Sequence, residues 1–298
     1  MASGGVSEVA SRPHVGCSAQ LSVPVDMVVV VAAGGAVFVD RPILAAVTDA
    51  LLGAGGTDFT VGGSGAVLEV ASQRPVLSPQ FEPRAEAALS AVLRDVAATL
   101  PGARSGVVAV EQFRGPWGVP DLAALAPARL EKRLACAVPP LLSRHDCRLV
   151  AAAGKWTEPA ALAAAARVSP GSADRYLRKL IAVGALEARD GRLRRSAGMV
   201  TLGRLWAMEA KVEEWQSGLA QAHRYRLWAD GAILVLGRAR VPVEAIAAGA
   251  RHYRVGLAIN GCWVVRPRAA LPDDATRLHA SEHMLATLTG ADAGCSRP

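Results

Sequence analysis

The spacing of apolar residues changes several times along this chain, and each change predicts an element. Glu86, Leu89, Leu93, Val96 and Leu100 recur at steps of three and four, one face of an amphipathic helix that starts near Pro83 and stops at Pro101-Gly102. Val107 to Phe113 and Gly118 to Leu125 read as two strands joined by a hairpin-like Arg114-Gly115-Pro116 link. Leu205 to Val212 reads as a third strand. Helical spacing returns over Glu213 to Trp228, with Trp215, Leu219 and Ala222 on one side. Ile233 to Leu236 is wholly apolar, as a strand covered on both faces should be. Upstream, Met27 to Val39 predicts a Gly-interrupted strand pair and Pro42 to Leu52 a short helix. Residues 1 to about 26 read as disordered, and glycine-rich Gly53 to Gly65 as a linker or loop.

A second pattern lies between the second and third strands. Leu141 to Ala152 predicts one helix, and Glu158 to Ala166 another, with Thr157 as N-cap and Pro159 in the first turn. After Val168-Ser169-Pro170-Gly171, a third helix runs from about Ser172 to Val183, where Gly184 stops it. Ala185 to Arg189 and Arg192 to Ser196 flank Asp190-Gly191, a two-residue hairpin signal. This order is that of a winged helix-turn-helix.

Composition narrows the class. A chain of 298 residues, 51% hydrophobic, has room for about two domains. The apolar run Met27 to Val39 falls short of the roughly 20 residues of a membrane-spanning helix. No basic segment leads into an apolar core at the N-terminus, so no signal peptide is expected. Five scattered cysteines without C-x-x-C spacing indicate neither a disulfide framework nor a zinc knuckle, and suit a reducing cytoplasm. The net charge of +7 suits a polyanionic partner such as nucleic acid. Of the 33 basic residues only Lys132, Lys155, Lys179 and Lys211 are lysines, so each lysine is informative.

Lys211 stands in Glu209-Ala210-Lys211 on the third strand, and Asp121 in Pro120-Asp121 on the second. Alternation along a strand sends Glu209 and Lys211 to one face, a carboxylate and an ammonium presented together. Carboxylates that hold a divalent ion, beside a cation near the attacking water, are what metal-assisted phosphodiester cleavage requires. A buried structural ion pair is the competing reading of the same residues.

Taken together, Pro120-Asp121, Glu209-Ala210-Lys211 and the following Gln221-Ala222-His223-Arg224-Tyr225 resemble the PD-(D/E)xK nuclease superfamily, with Glu86 matching an acidic residue on the helix before the sheet. The matching stretches cover residues 83 to 126 and 202 to 265. The resemblance implies an α/β fold, a restriction-endonuclease-like αβββαβ core with an inserted winged-helix domain and a poorly ordered N-terminal region. It further implies that Asp121 and Glu209 bind Mg²⁺ (or Mn²⁺), that Lys211 positions or polarises the water, and that Gln221 sits near the scissile phosphate. One departure is that 88 positions separate Asp121 from Glu209, where the family has a short hairpin.

The expected organisation is an N-terminal region (1–75), two halves of a nuclease core (76–137 and 200–271), a winged helix between them (138–199) and a C-terminal tail (272–298). Arg175, Arg178 and Lys179 on the recognition helix, and Arg189, Arg192, Arg194 and Arg195 on the wing, are the expected DNA contacts. His279-Ala280-Ser281-Glu282-His283 spells the zinc pattern H-x-x-E-H, but it lies too close to the end of the chain for a third ligand downstream, so a solvated helix and a frayed tail are expected there. The expected function is metal-dependent hydrolysis of phosphodiesters in DNA, duplex favoured, by an endonuclease or an exonuclease, with a homodimer left open. The alternatives are a non-catalytic DNA-binding regulator built on a degenerate nuclease fold, and a protein-interaction adaptor.

Overall fold

The computed structural model describes residues 89–103, 106–270 and 272–291 with their side chains, and the backbone of 27–32, 35–40, 59–61 and 67–70. The fold is mixed α/β. Helix α1 (Ser90–Ala98) precedes β5 (Val108–Glu111) and β6 (Leu122–Pro127), and β9 (Gly203–Lys211) is followed by α6 (Trp215–Tyr225) and β10 (Gly231–Leu236). The chain continues through α7 (Val243–Tyr253), β11 (Gly256–Ile259) and β12 (Cys262–Val265) to α8 (Asp274–Leu288). Strands β1 (Met27–Ala32), β2 (Gly35–Asp40), β3 (Phe59–Val61) and β4 (Val67–Val70) extend the same sheet, whose order is β12-β11-β10-β9-β6-β5-β2-β1-β4-β3.

Strand β6 runs antiparallel to both β5 and β9, whereas β9, β10 and β11 run parallel. The parallel pairs need crossovers, and α6 and α7 supply them. Side-chain alternation then divides the sheet into two packed faces. Val108, Val110, Ala123, Leu125, Leu205, Ala207, Leu234 and Leu236 meet Leu219, Ala222 and Tyr225 of α6 and Ile246 of α7. Ala109, Leu122, Ala124, Trp206, Met208, Ala210 and Ile233 meet Leu93 and Val96 of α1. Both faces of β9 and β10 are therefore covered, and their sequences are correspondingly apolar throughout.

Residues 128–202 leave the sheet at the end of β6 and return at the start of β9. Pro127 and Gly203 are register partners, and Ala128 N and Arg129 N both donate to Leu202 O. A Cβ on Gly203 would fall 2.2 Å from Ala126 O, so only glycine allows the two strands to close here. The excursion contains α2 (Leu130–Leu134), α3 (Arg144–Ala152), α4 (Pro159–Ala166), α5 (Pro170–Ala182) and a hairpin, β7 (Leu186–Arg189) with β8 (Arg192–Arg195). Asp190 and Gly191 both have positive φ, the backbone that a two-residue hairpin turn demands. A bridge between Thr157 and Leu193 adds a short third strand. Val138, Leu149, Leu162, Leu177, Leu180, Leu193 and Met199 close around a core of their own, to which α8 adds Leu278.

Several expectations need correcting. The second strand begins at Leu122 rather than Gly118, because the preceding loop folds on itself: Gly118 has φ +91°, and Gly115 N donates to Gly118 O. Residues 279–283 are not a solvated helix. They lie in α8, where His279, Ser281 and Glu282 are buried and Asp273 caps the N-terminus by accepting from Ala275 N and Thr276 N. Their burial is tolerated because each finds a remote partner: Glu282 pairs with buried Arg133, Ser281 accepts from Leu202 N, and His279 bonds Leu142 O. The linker-like reading of 53–65 is interrupted by β3. The predictions for residues 1 to 26, 42 to 52 and 292 to 298 lie outside the described residues. Among the described residues, no helix is long and apolar enough to cross a membrane.

Candidate active site

The alternation of β9 decides what surrounds its acidic end. Glu209 and Lys211 share a parity with Leu205 and Ala207, so they project onto the face covered by α6, not the face covered by α1. Glu209 is almost wholly enclosed, its side chain 1% exposed, while that of Lys211 is 17% exposed. Lys211 Nζ lies 2.9 Å from Glu209 Oε1. Asp121 directly precedes β6, and one further step of the Leu122↔Met208 register sets it opposite Glu209. Its carboxylate is anchored to the partner strand: Oδ2 accepts from Ala210 N at 2.7 Å, and Oδ1 from Gln112 Nε2 at 3.3 Å.

Helix α6 supplies the remaining walls. The Tyr225 hydroxyl stands 3.0 Å from Glu209 Oε2 and 3.0 Å from Val119 O, and Gln221 Nε2 donates to it at 3.1 Å. A phenol has one hydrogen to give. With Glu209 ionised, that hydrogen is shared between two acceptors. With Glu209 protonated, the carboxyl donates to the phenol and the phenol to Val119 O, so every group is satisfied.

Electrostatics point the same way. Burial pushes the Glu209 carboxyl up to about 7, and the nearby Asp121 charge pushes it further in that direction, against the opposing pull of Lys211 and Tyr225. Burial also raises Asp121, countered by the Ala210 N–H and by Lys211. Tyr225 is raised by burial and by Glu209. Two carboxylates thus face each other with one ammonium beside them, an arrangement short of positive charge.

A hard divalent cation fits that deficit. Asp121 and Glu209 would hold Mg²⁺ or Mn²⁺ through carboxylate oxygens, and Mg²⁺ needs only one or two such ligands because it retains water. Among the described residues, no group of three or more His, Cys, Asp or Glu is positioned to share an ion.

The structure therefore brings together Asp121, Glu209, Lys211 and Gln221; Glu86 lies outside the described residues. Two neighbours escaped the sequence reading. Gln112, held at φ +48°, reaches Asp121, and the Val119 carbonyl receives Tyr225. The positive φ of Gln112 carries no sequence signal, since glutamine is not a residue that favours it. The seven basic residues expected to contact nucleic acid divide. Arg175, Arg178, Arg189 and Arg192 are exposed. Arg178 pairs with Asp174 across a fully solvated helix turn, a weak tie. Lys179 is bound to the buried Asp146 at 2.6 Å, and Arg194 to Glu187 while lying over the Trp156 ring. Arg195 is half-buried, its N–H donating to Ala153 O.

Comparison with protein-family models, with curated proteins and with solved structures gives no match for this chain.

Proposed function

We propose that this protein is a metal-dependent nuclease that hydrolyses phosphodiester bonds, in DNA, with the three-helix and hairpin unit acting as a winged helix on the nucleic acid. The observation that carries this reading is the register that sets Asp121 opposite Glu209, with Lys211 two residues further on the same face. The path α1-β5-β6-β9-α6-β10 is also the αβββαβ order of a restriction-endonuclease-like core, and supports that finer fold.

A bound divalent ion would supply charge neutralisation at the scissile phosphate and a more acidic attacking water. The chain's own contributions are separable. Asp121 and Glu209 hold the ion. Lys211, more exposed than Glu209 on the same face of β9, orients the attacking water and faces the phosphate. Gln221 and Tyr225 fix the Glu209 carboxylate from behind, so that its rotamer is set before substrate arrives.

A non-catalytic DNA-binding regulator is favoured by one observation: all four carboxylate oxygens of Asp121 and Glu209 already have partners within the chain. Nicking of supercoiled plasmid separates the two readings. Relaxed and linear products should form with Mg²⁺ or Mn²⁺, and should vanish with EDTA or in Asp121→Ala. Equal cutting by Asp121→Ala would overturn the site, and no cutting by the parent protein under any divalent ion would leave the regulator.

A further inference from the structure

Between the carboxylates and the three-helix unit runs the loop Arg114 to Val119, and it displays a tryptophan. Trp117 is 38% exposed, and Val119 beside it 44%. The loop is nonetheless held at several points. Trp228 Nε1 donates to Trp117 O at 2.9 Å, Tyr225 donates toward Val119 O, and a Cβ on Gly115 would meet the Trp228 ring at 2.9 Å. The Trp117 ring is also held from the side of the three-helix unit: the Arg144 guanidinium lies over it, 5.1 Å from the centroid, and His279 meets it edge-on. Arg114 and Arg144 are both exposed. An anchored, partly exposed indole with Arg144 against its ring, and Arg114 exposed three positions earlier in the same loop, has the chemistry of a stacking platform beside phosphate contacts.

We infer that Trp117 stacks on an unpaired nucleobase of the strand being cleaved, with Arg114 and Arg144 on the flanking phosphates. The inference rests on nucleic acid being the ligand of the Asp121–Glu209 site. Asp121 lies four positions beyond Trp117, a reach of at most about 14 Å, or about four nucleotides at an axial rise of about 3.4 Å. The stacked base is therefore close to the scissile phosphate. The interior of a duplex offers no free base face, so the ligand is a single strand, or a duplex carrying a flap or overhang; the sequence-based preference for duplex is narrowed accordingly.

The test is a coupling measurement in EDTA, where cleavage does not enter. Dye-labelled DNA and RNA strands carrying one abasic site at successive positions are titrated with the parent protein and with Trp117→Ala, alongside a blunt duplex of equal length. The parent should bind single strands more tightly than the duplex and lose about 5- to 100-fold at one abasic position. Trp117→Ala should lose the same factor on the intact strand and nothing more at that position, whereas Trp117→Phe should keep most of the penalty. If Trp117→Ala fails to fold by circular dichroism, Trp117→Gln takes its place. Additive losses, a parent indifferent to every abasic site, or no affinity for any strand would each overturn the inference. Cleavage of the same labelled strands with Mg²⁺ or Mn²⁺, read separately, decides the nuclease reading: a coupled Trp117 without cleavage sinks that reading alone, and cleavage without coupling sinks the stacking alone.

Discussion

The Tyr225 hydroxyl meets Glu209 Oε2 at 3.0 Å across the packing of α6 on β9, and both residues are buried. Removing the hydroxyl in Tyr225→Phe leaves Glu209 Oε2 and the Gln221 amide short of a partner at almost unchanged shape. Stability should fall by about 1–3 kcal/mol in urea titrations. Mg²⁺-dependent cleavage should fall by at least about tenfold, equivalent to about 1.4 kcal/mol of barrier, if the carboxylate's rotamer matters for catalysis. A variant as stable and as active as the parent would show that Tyr225 merely fills space.

Lys211→Ala and Arg178→Ala should fail in different ways. Loss of Lys211, which the proposed nuclease mechanism sets beside the attacking water, should abolish cleavage while DNA affinity stays nearly constant, a loss confined to the transition state. Loss of Arg178, exposed on α5, should weaken binding at moderate salt and reduce the slope of log K against log[salt] by about one unit. Saturated Arg178→Ala complexes should still cut. Cleavage by Lys211→Ala at the parent's rate would move catalysis elsewhere.

Arg133 and Glu282, 1% and 0% exposed, tie α2 to α8, and Glu282 also accepts from Leu141 N while Arg133 donates to Val138 O. Glu282→Leu or Arg133→Met alone should cost about 3–5 kcal/mol, because a charge is left buried without its counterion. The double replacement Arg133→Met with Glu282→Leu should cost less than the sum of the two. Full additivity in denaturant titrations would mean the two side chains do not interact.

His279 and His283 stand with their Nε2 atoms 3.2 Å apart on α8. Burial and the neighbouring His279 hold His283 down at about 4, and burial likewise lowers His279. In the unfolded chain the same imidazoles take up protons near pH 6.5. The stability contributed by the neutral pair is thus fully present above about pH 6.5 and drains away as pH falls toward 4, by at most about 3 kcal/mol for His283. Unfolding free energies at pH 7 and pH 5 should differ more in the parent than in His283→Gln. Parallel pH profiles would remove the histidine pair from the account.

What the sequence by itself determined was local. The three-to-four spacing of Leu89, Leu93 and Val96 located α1, the apolar run before Glu209 located β9, and the two-residue period of a strand was enough to put Glu209 and Lys211 on one face. The Asp190-Gly191 turn and the helices before it were legible for the same reason: period and turn chemistry act over a few neighbouring residues. Partners across long stretches of chain were a matter for tertiary structure. That Asp121 stands opposite Glu209 follows from the pairing of β6 with β9, whose ends meet only because residues 128–202 fold back to where they left. That the polar run His279 to His283 lies inside the protein depends on Arg133 and the Leu142 carbonyl, 149 and 137 positions away from the residues they satisfy. Polar residues announce exposure in a sequence, because nothing local reveals the remote group that makes their burial affordable. Trp117 is the converse case, an aromatic that composition would place in the core. It stays partly in solvent, with its backbone carbonyl tied to the Trp228 indole and its loop closed by the bond from Gly115 N to Gly118 O.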